Sequence, residues 1–109
     1  MMKYYRGYTN YEIYPHVVFE MLQRDRNILL LDVRTSAEYK EGHISGAMLI
    51  PDYEIDASLG ILGNKNSTII VYCGSGGRSK RVVEKLRRYG YINSYSMIGG
   101  ISEWEYGIV

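Results

Sequence analysis

Ser67-Thr68-Ile69-Ile70-Val71-Tyr72-Cys73-Gly74-Ser75-Gly76-Gly77-Arg78-Ser79 is the stretch on which the reading of this chain turns. Thr68 to Tyr72 is a short apolar run rich in β-branched residues, as expected of a strand buried on both faces. Cys73, the only cysteine of the chain, stands where that strand runs out into a glycine-rich loop. From Ser79 onward Val82, Val83, Leu86 and Tyr89 recur at helical spacing until Gly90 ends the pattern. Strand, glycine loop and helix in direct succession are the building unit of an α/β domain, whose ligands bind at the carboxyl ends of the strands.

The flanking sequence repeats the alternation. Ile28-Leu29-Leu30-Leu31, ending at Asp32, is a second unbroken apolar run. Met48-Leu49-Ile50, halted by Pro51, and Ser94-Tyr95-Ser96-Met97-Ile98, halted by Gly99-Gly100, predict two more short strands, and Tyr11-Glu12-Ile13 is a further candidate. Pro15 suits a first helical position, after which Val17, Val18, Met21 and Leu22 mark one face. Thr35 or Ser36 can cap a short helix through Tyr39. The pattern predicts one α/β domain over residues 1–109, with a mainly parallel central sheet flanked by helices on both faces. Asp32 and Cys73 then share the carboxyl edge.

Composition narrows the class of function. At 109 residues the chain can bury roughly 65% of its unfolded surface, and 46% hydrophobic with 23% charged residues is ordinary globular usage. A net charge of +1 exerts no overall pull toward nucleic acid or membrane, and no apolar run approaches the ~18 residues of a membrane span. A lone cysteine excludes an internal disulfide and suits a reducing compartment. Met1 to Tyr14 is polar and tyrosine-rich, without the apolar core of a signal peptide, so the expected location is cytoplasmic. The charge is unevenly spread: Arg78, Lys80, Arg81, Lys85, Arg87 and Arg88 face Glu84 alone within residues 73–88.

Glycines after Cys73 let successive backbone N–H groups converge, forming an anion-binding nest at the start of a helix. Such donors and a nearby cation lower a thiol's pKa and favour the attacking thiolate. Arg78 supplies the cation. A buried structural cysteine at a strand end is the ordinary alternative, and the Gly-Ser-Gly-Gly-Arg-Ser continuation argues for the nucleophile.

Three segments, in order, resemble a rhodanese-like domain. They are Leu30-Leu31-Asp32-Val33-Arg34 with Glu38-Tyr39 and Gly42-His43-Ile44-Ser45-Gly46-Ala47; Val71 to Ser79; and Gly99-Gly100-Ile101 with Trp104. The resemblance covers nearly the whole chain and implies a single-domain sulfurtransferase working through a Cys73 persulfide. Gly74, Ser75, Gly76, Gly77 and Arg78 would bind the substrate, their amides stabilising the persulfide and a departing sulfonate. The cycle would need no metal and no organic cofactor. Its partners would be a small anionic sulfur donor such as thiosulfate and an external thiol, cyanide or protein acceptor, because no second cysteine can resolve the persulfide internally.

Cysteine-dependent phosphatases, including those that share this fold, place five residues between cysteine and arginine; here there are four, Gly74 to Gly77. The smaller loop suits a sulfur atom, and the missing resolving thiol argues against arsenate reduction. The remaining rival is a non-catalytic binding module, or a relay served only by a protein donor. Thiosulfate-preferring relatives often carry basic residues directly after the cysteine, whereas Gly74 and Ser75 are neutral, which leaves the donor open.

Other residues are read as structural. Asp32 would tie loop backbone at a strand end, Arg34 would pair with Glu38, and His43 would belong to a turn. His16 is a surface residue and Trp104 a core residue that could pack beneath the loop. The basic helix after Arg78 supports the thiolate rather than nucleic acid.

Overall fold

The computed structural model describes residues 11–109. Most of the polar segment from Met1 to Tyr14, residues 1–10, thus lies outside the described residues. In chain order the elements are β1 (Glu12–Ile13), α1 (Pro15–Arg24), β2 (Leu29–Asp32), α2 (Ser36–Glu41), β3 (Met48–Leu49), β4 (Ile69–Tyr72), α3 (Gly77–Arg88) and β5 (Ser94–Met97). They form one sheet of order β1-β5-β4-β2-β3, and all four pairings are parallel.

The two apolar runs lie side by side at the centre, Leu29 opposite Ile69 through Asp32 opposite Tyr72. Alternate side chains leave opposite faces of a strand. Leu31, Ile69 and Val71 therefore pack with Val82, Val83 and Leu86 of α3. Leu30, Ile70 and Tyr72 pack on the other face with Val17, Val18 and Met21 of α1. Burying each large aliphatic side chain here contributes ~1.5–3 kcal/mol, so both stripes hold the sheet between helices. The connections run outward in opposite directions from β2 and β4, which opens a crevice at their carboxyl ends. Cys73 and Asp32 are at that crevice.

Two expectations are corrected. Tyr89 does not extend the buried stripe of α3: it is 39% exposed and its hydroxyl donates to Asp56 at 2.6 Å. The helix stops at Arg88, Gly90 turns the chain at φ +98°, and Tyr91 covers that end of the core instead. The helix also begins at Gly77, before Ser79, because Gly76 takes a left-handed conformation (φ +113°) that starts the turn directly behind the loop.

Residues 52–61, to which the sequence pattern assigns no element, form two short 3-10 stretches, Asp52–Glu54 and Asp56–Ile61. Ile55 within this segment and Leu62 directly after it close the core on the α3 side. A third stretch, Gly100–Glu103, follows β5 and packs against the loop after Cys73.

Candidate active site

Cys73 ends the central strand with only 1% of its surface exposed. Its sulfur accepts hydrogen bonds from the backbone N–H of Gly76 at 3.1 Å and of Ser79 at 3.4 Å. Ser79 Oγ lies 3.5 Å away; the neutral thiol donates to it, and the thiolate can accept from it. Burial pushes the thiol pKa up. The donors of Ser79, Gly76 and Ser75 outweigh it and hold the pKa below its ordinary value. The sulfur is thus surrounded by groups that favour the thiolate.

The nest keeps this form because its carbonyls are engaged outside it. Cys73 O accepts from Ile101 N at 2.8 Å and Gly74 O from Ser102 N at 3.1 Å. Gly100 (φ +62°) makes that approach possible: a Cβ there would collide with Cys73 O and stand 2.6 Å from the Gly74 carbonyl. The closing Gly99-Gly100 pair is therefore the back wall of the loop.

Loop residues divide by role. Gly76 donates to the sulfur, and Ser75 is solvent-exposed at the loop tip. Gly74 lies under the Arg78 guanidinium, where a Cβ would come within 3.1 Å of Nη2. Gly77 opens α3 and has free space above it.

Arg78 is not an unpaired cation. It grips Glu38 with two bonds, Nη1 to Oε1 at 2.8 Å and Nη2 to Oε2 at 3.0 Å. Arg78 first of all, then the Thr35 N–H, holds the Glu38 carboxyl down at about 2. Glu38 also completes the α2 capping box, accepting from Thr35 N at 2.9 Å while Thr35 Oγ1 accepts from Glu38 N at 3.2 Å. One carboxylate therefore caps a helix and neutralises the loop arginine. It borders a cleft of about 390 Å³ that Glu41, Trp104 and Glu105 also line.

The expected Arg34–Glu38 pair is replaced by a shorter one. Buried Arg34 binds Asp32, Nη2 to Oδ2 at 2.8 Å and Nε to Oδ1 at 3.0 Å, and donates to Gly42 O at 2.7 Å. Asp32 also accepts from Arg34 N, as expected of a strand-end tie. Across the ladder Tyr72 OH accepts from Ile44 N at 3.1 Å, so β2 and β4 together anchor the turn through residues 42–47. His43 belongs to that turn. Its ring stacks on Tyr39 at 3.6 Å, and Nδ1 lies 2.9 Å from Tyr39 O. Trp104 packs on the α1 side with Phe19 and Tyr106 and donates Nε1–H to Gly107 O, away from a position beneath the sulfur. His16 is exposed and stacked on Tyr14.

Three site residues escape sequence reasoning: Ser79 as a donor to sulfur, Ser96 behind it (Oγ to Ser79 Oγ, 2.7 Å) and Glu38 as the partner of Arg78. Thr35-Ser36-Ala37-Glu38 carries the spacing of a capping box, and serines at alternate positions of an otherwise apolar strand signal a buried polar face. The 40-residue separation of Glu38 from Arg78 leaves no local signal.

Comparison with known proteins places the chain in a family and matches its fold. A family model described as Rhodanese-like domain matches residues 15–106. The thiosulfate sulfurtransferase GlpE of Coxiella burnetii is 30% identical over 95 residues, covering 87% of this chain and 88% of that protein. The probable adenylyltransferase/sulfurtransferase MoeZ of Mycobacterium tuberculosis is 31% identical over 93 residues, 84% of this chain, and the chain spans only 24% of that protein. The crystal structure of a rhodanese-like domain protein from Staphylococcus aureus superposes with a TM-score of 0.82 at 32% identity, covering 90% of this chain and 95% of that one.

Proposed function

The chain belongs to the rhodanese-like domain family, and from that premise we propose that it is a sulfurtransferase carrying sulfane sulfur on Cys73. The observation that carries this reading is the Cys73 sulfur itself, held by Gly76 N, Ser79 N and Ser79 Oγ at the end of the central strand. A buried thiol kept only for packing has no use for two backbone donors and a hydroxyl.

In the first half-reaction the Cys73 thiolate attacks the outer sulfur of thiosulfate. An S–S bond forms to Cys73, the bond to the sulfonate sulfur breaks, and sulfite leaves with its electron pair. In the second, an acceptor thiolate or cyanide attacks the terminal sulfur of Cys73–S–S⁻ and the Cys73 thiolate departs. The amides from Gly74 to Arg78 receive the charge that moves outward onto the persulfide. Arg78 meets the donor's anionic group, which must compete with Glu38 for the guanidinium. The acceptor comes from outside, since the chain has one cysteine, and a reducing cytoplasm supplies such thiols.

Arg78's engagement by Glu38, together with neutral Gly74 and Ser75, favours a second reading in which the donor is another protein's persulfide and the domain acts as a relay. Intact-mass measurement separates the readings. Incubation with thiosulfate should add one sulfur atom to the wild type and none to Cys73→Ser, and cyanide should then release it as thiocyanate. No adduct with thiosulfate but an adduct with a protein persulfide selects the relay; no adduct with either overturns sulfur transfer.

A further inference from the structure

Behind the site stands a buried hydroxyl that the reaction scheme does not use. Ser96 lies on β5, 2% exposed, and its Oγ is 2.7 Å from Ser79 Oγ. Ser79 is itself fully buried, and while Cys73 is a neutral thiol its Oγ accepts from Cys73 Sγ at 3.5 Å and donates to Gly76 O at 3.2 Å. Once Cys73 is a thiolate, the single hydroxyl proton of Ser79 has three candidate acceptors: the sulfur, Gly76 O and Ser96 Oγ. Only one can take it. The contact with Ser96 is the shortest, so its direction decides whether the sulfur receives that proton.

Hydrogen-bond accounting fixes the direction. Among the described residues Ser79 Oγ is the hydrogen-bond partner of Ser96 Oγ. If Ser79 donated to Ser96, the proton of Ser96 would have no protein acceptor among the described residues, which a buried hydroxyl avoids. If Ser96 donates, both protons are satisfied. Ser79 then turns its own toward the sulfur, because a charged acceptor outcompetes the neutral Gly76 carbonyl.

We propose that Ser96 is a positioning residue for the Cys73 thiolate: by donating to Ser79 Oγ it commits the Ser79 proton to the sulfur. The proposal deepens the reading of Cys73 as the sulfur-carrying nucleophile and rests on it. Position 96 belongs to the sheet face that meets α3, and strand pairing aligns it with Glu12 on β1. The charged groups around this corner are Arg78 with Glu38 and Asp52 toward the crevice, and the Glu12–Lys80 pair with Glu84 toward the sheet edge, where the Tyr11 phenol also stands. None is changed by a substitution at Ser96.

The test is the pH profile of Cys73 alkylation by iodoacetamide in Ser96→Thr and Ser96→Val, which differ by a hydroxyl against a methyl. Both suit a strand, and the added methyl can enter a cavity of about 130 Å³ that Ser96 borders with Tyr11, Lys80 and Val83. Thr should keep the wild-type midpoint. Val should raise it by about half a pH unit, leaving about threefold less thiolate below the midpoint. In a Ser79→Ala background the Thr and Val variants should coincide, since nothing remains for Ser96 to orient. Ser96→Ala replaces Val if Val does not fold. Equal midpoints for the hydroxyl-bearing and hydroxyl-free variants, or a difference that persists without the Ser79 hydroxyl, overturn the proposal. Alkylation needs no sulfur donor, so a wild type that alkylates as expected but forms no persulfide overturns sulfur transfer and leaves the positioning role standing.

Discussion

Glu38→Gln isolates the ion pair that covers the loop. Glutamine keeps a carbonyl oxygen for the Thr35 N–H, so the helix cap survives, but it puts an amide N–H₂ against Arg78. In the folded protein the Glu38 carboxyl is held at about 2 against an ordinary 4.5, first by Arg78 and then by the Thr35 N–H. At roughly 1.4 kcal/mol per pH unit that difference is about 3 kcal/mol at face value. The side chains of Arg78 and Glu38 are 30% and 35% exposed, so solvent screens the pair and the surviving contribution is nearer ~1 kcal/mol. Urea denaturation at neutral pH should show that loss, with Tm lower by about 5 °C for a domain of this size. Because the folded pKa lies below the unfolded one, the stabilisation is full above pH 4.5 and fades as the pH falls toward about 2. The gap between wild type and Glu38→Gln should close over that window. The freed guanidinium should also lower KM for thiosulfate. A variant as stable as wild type at neutral pH, or a gap that does not narrow in acid, would refute the ion-pair argument; an unchanged KM would refute the competition between Glu38 and the donor for Arg78.

Gly100→Ala should destabilise the fold by at least ~2 kcal/mol and abolish Cys73 reactivity, because the new Cβ meets Cys73 O and the Gly74 carbonyl and the backbone is left-handed. Thermal melting and thiol titration check it, and a wild-type-like Ala variant would contradict the close-approach argument. Cys73 should alkylate with a midpoint below that of an ordinary thiol, as its donors require; a midpoint at or above the usual value of about 8.5 would count against the nest. Ser79→Ala should raise that midpoint by about one pH unit, and Arg78→Ala by less, since Ser79 donates directly to the sulfur whereas Arg78 is shared with Glu38. The reverse order would assign the thiolate to charge rather than to hydrogen bonds.

The central strands, the three helices and the position of Cys73 on the carboxyl edge are legible from local pattern, because a doubly buried strand and an amphipathic helix each carry their period in consecutive residues. The segment from Asp52 to Ile61 is not, since 3-10 turns this short carry no period, although Ile55 within it and Leu62 at its end complete the core. Tyr89 shows the limit from the other side. Its spacing is that of a core residue, yet the end of α3 decides whether any core remains for it to meet.

Contiguous strand, turn and helix signals suffice to put the single cysteine at the end of a buried strand, beneath a glycine nest. The electrical and hydrogen-bonded state of that cysteine follows instead from how distant elements pack around it. Parallel strand order brought Ser96 of β5 behind Ser79, and the packing of α2 across the loop handed Arg78 to Glu38. Both contacts join residues far apart in the chain, and hydrogen bonds and ion pairs are settled by ångströms of approach, which no local periodicity encodes.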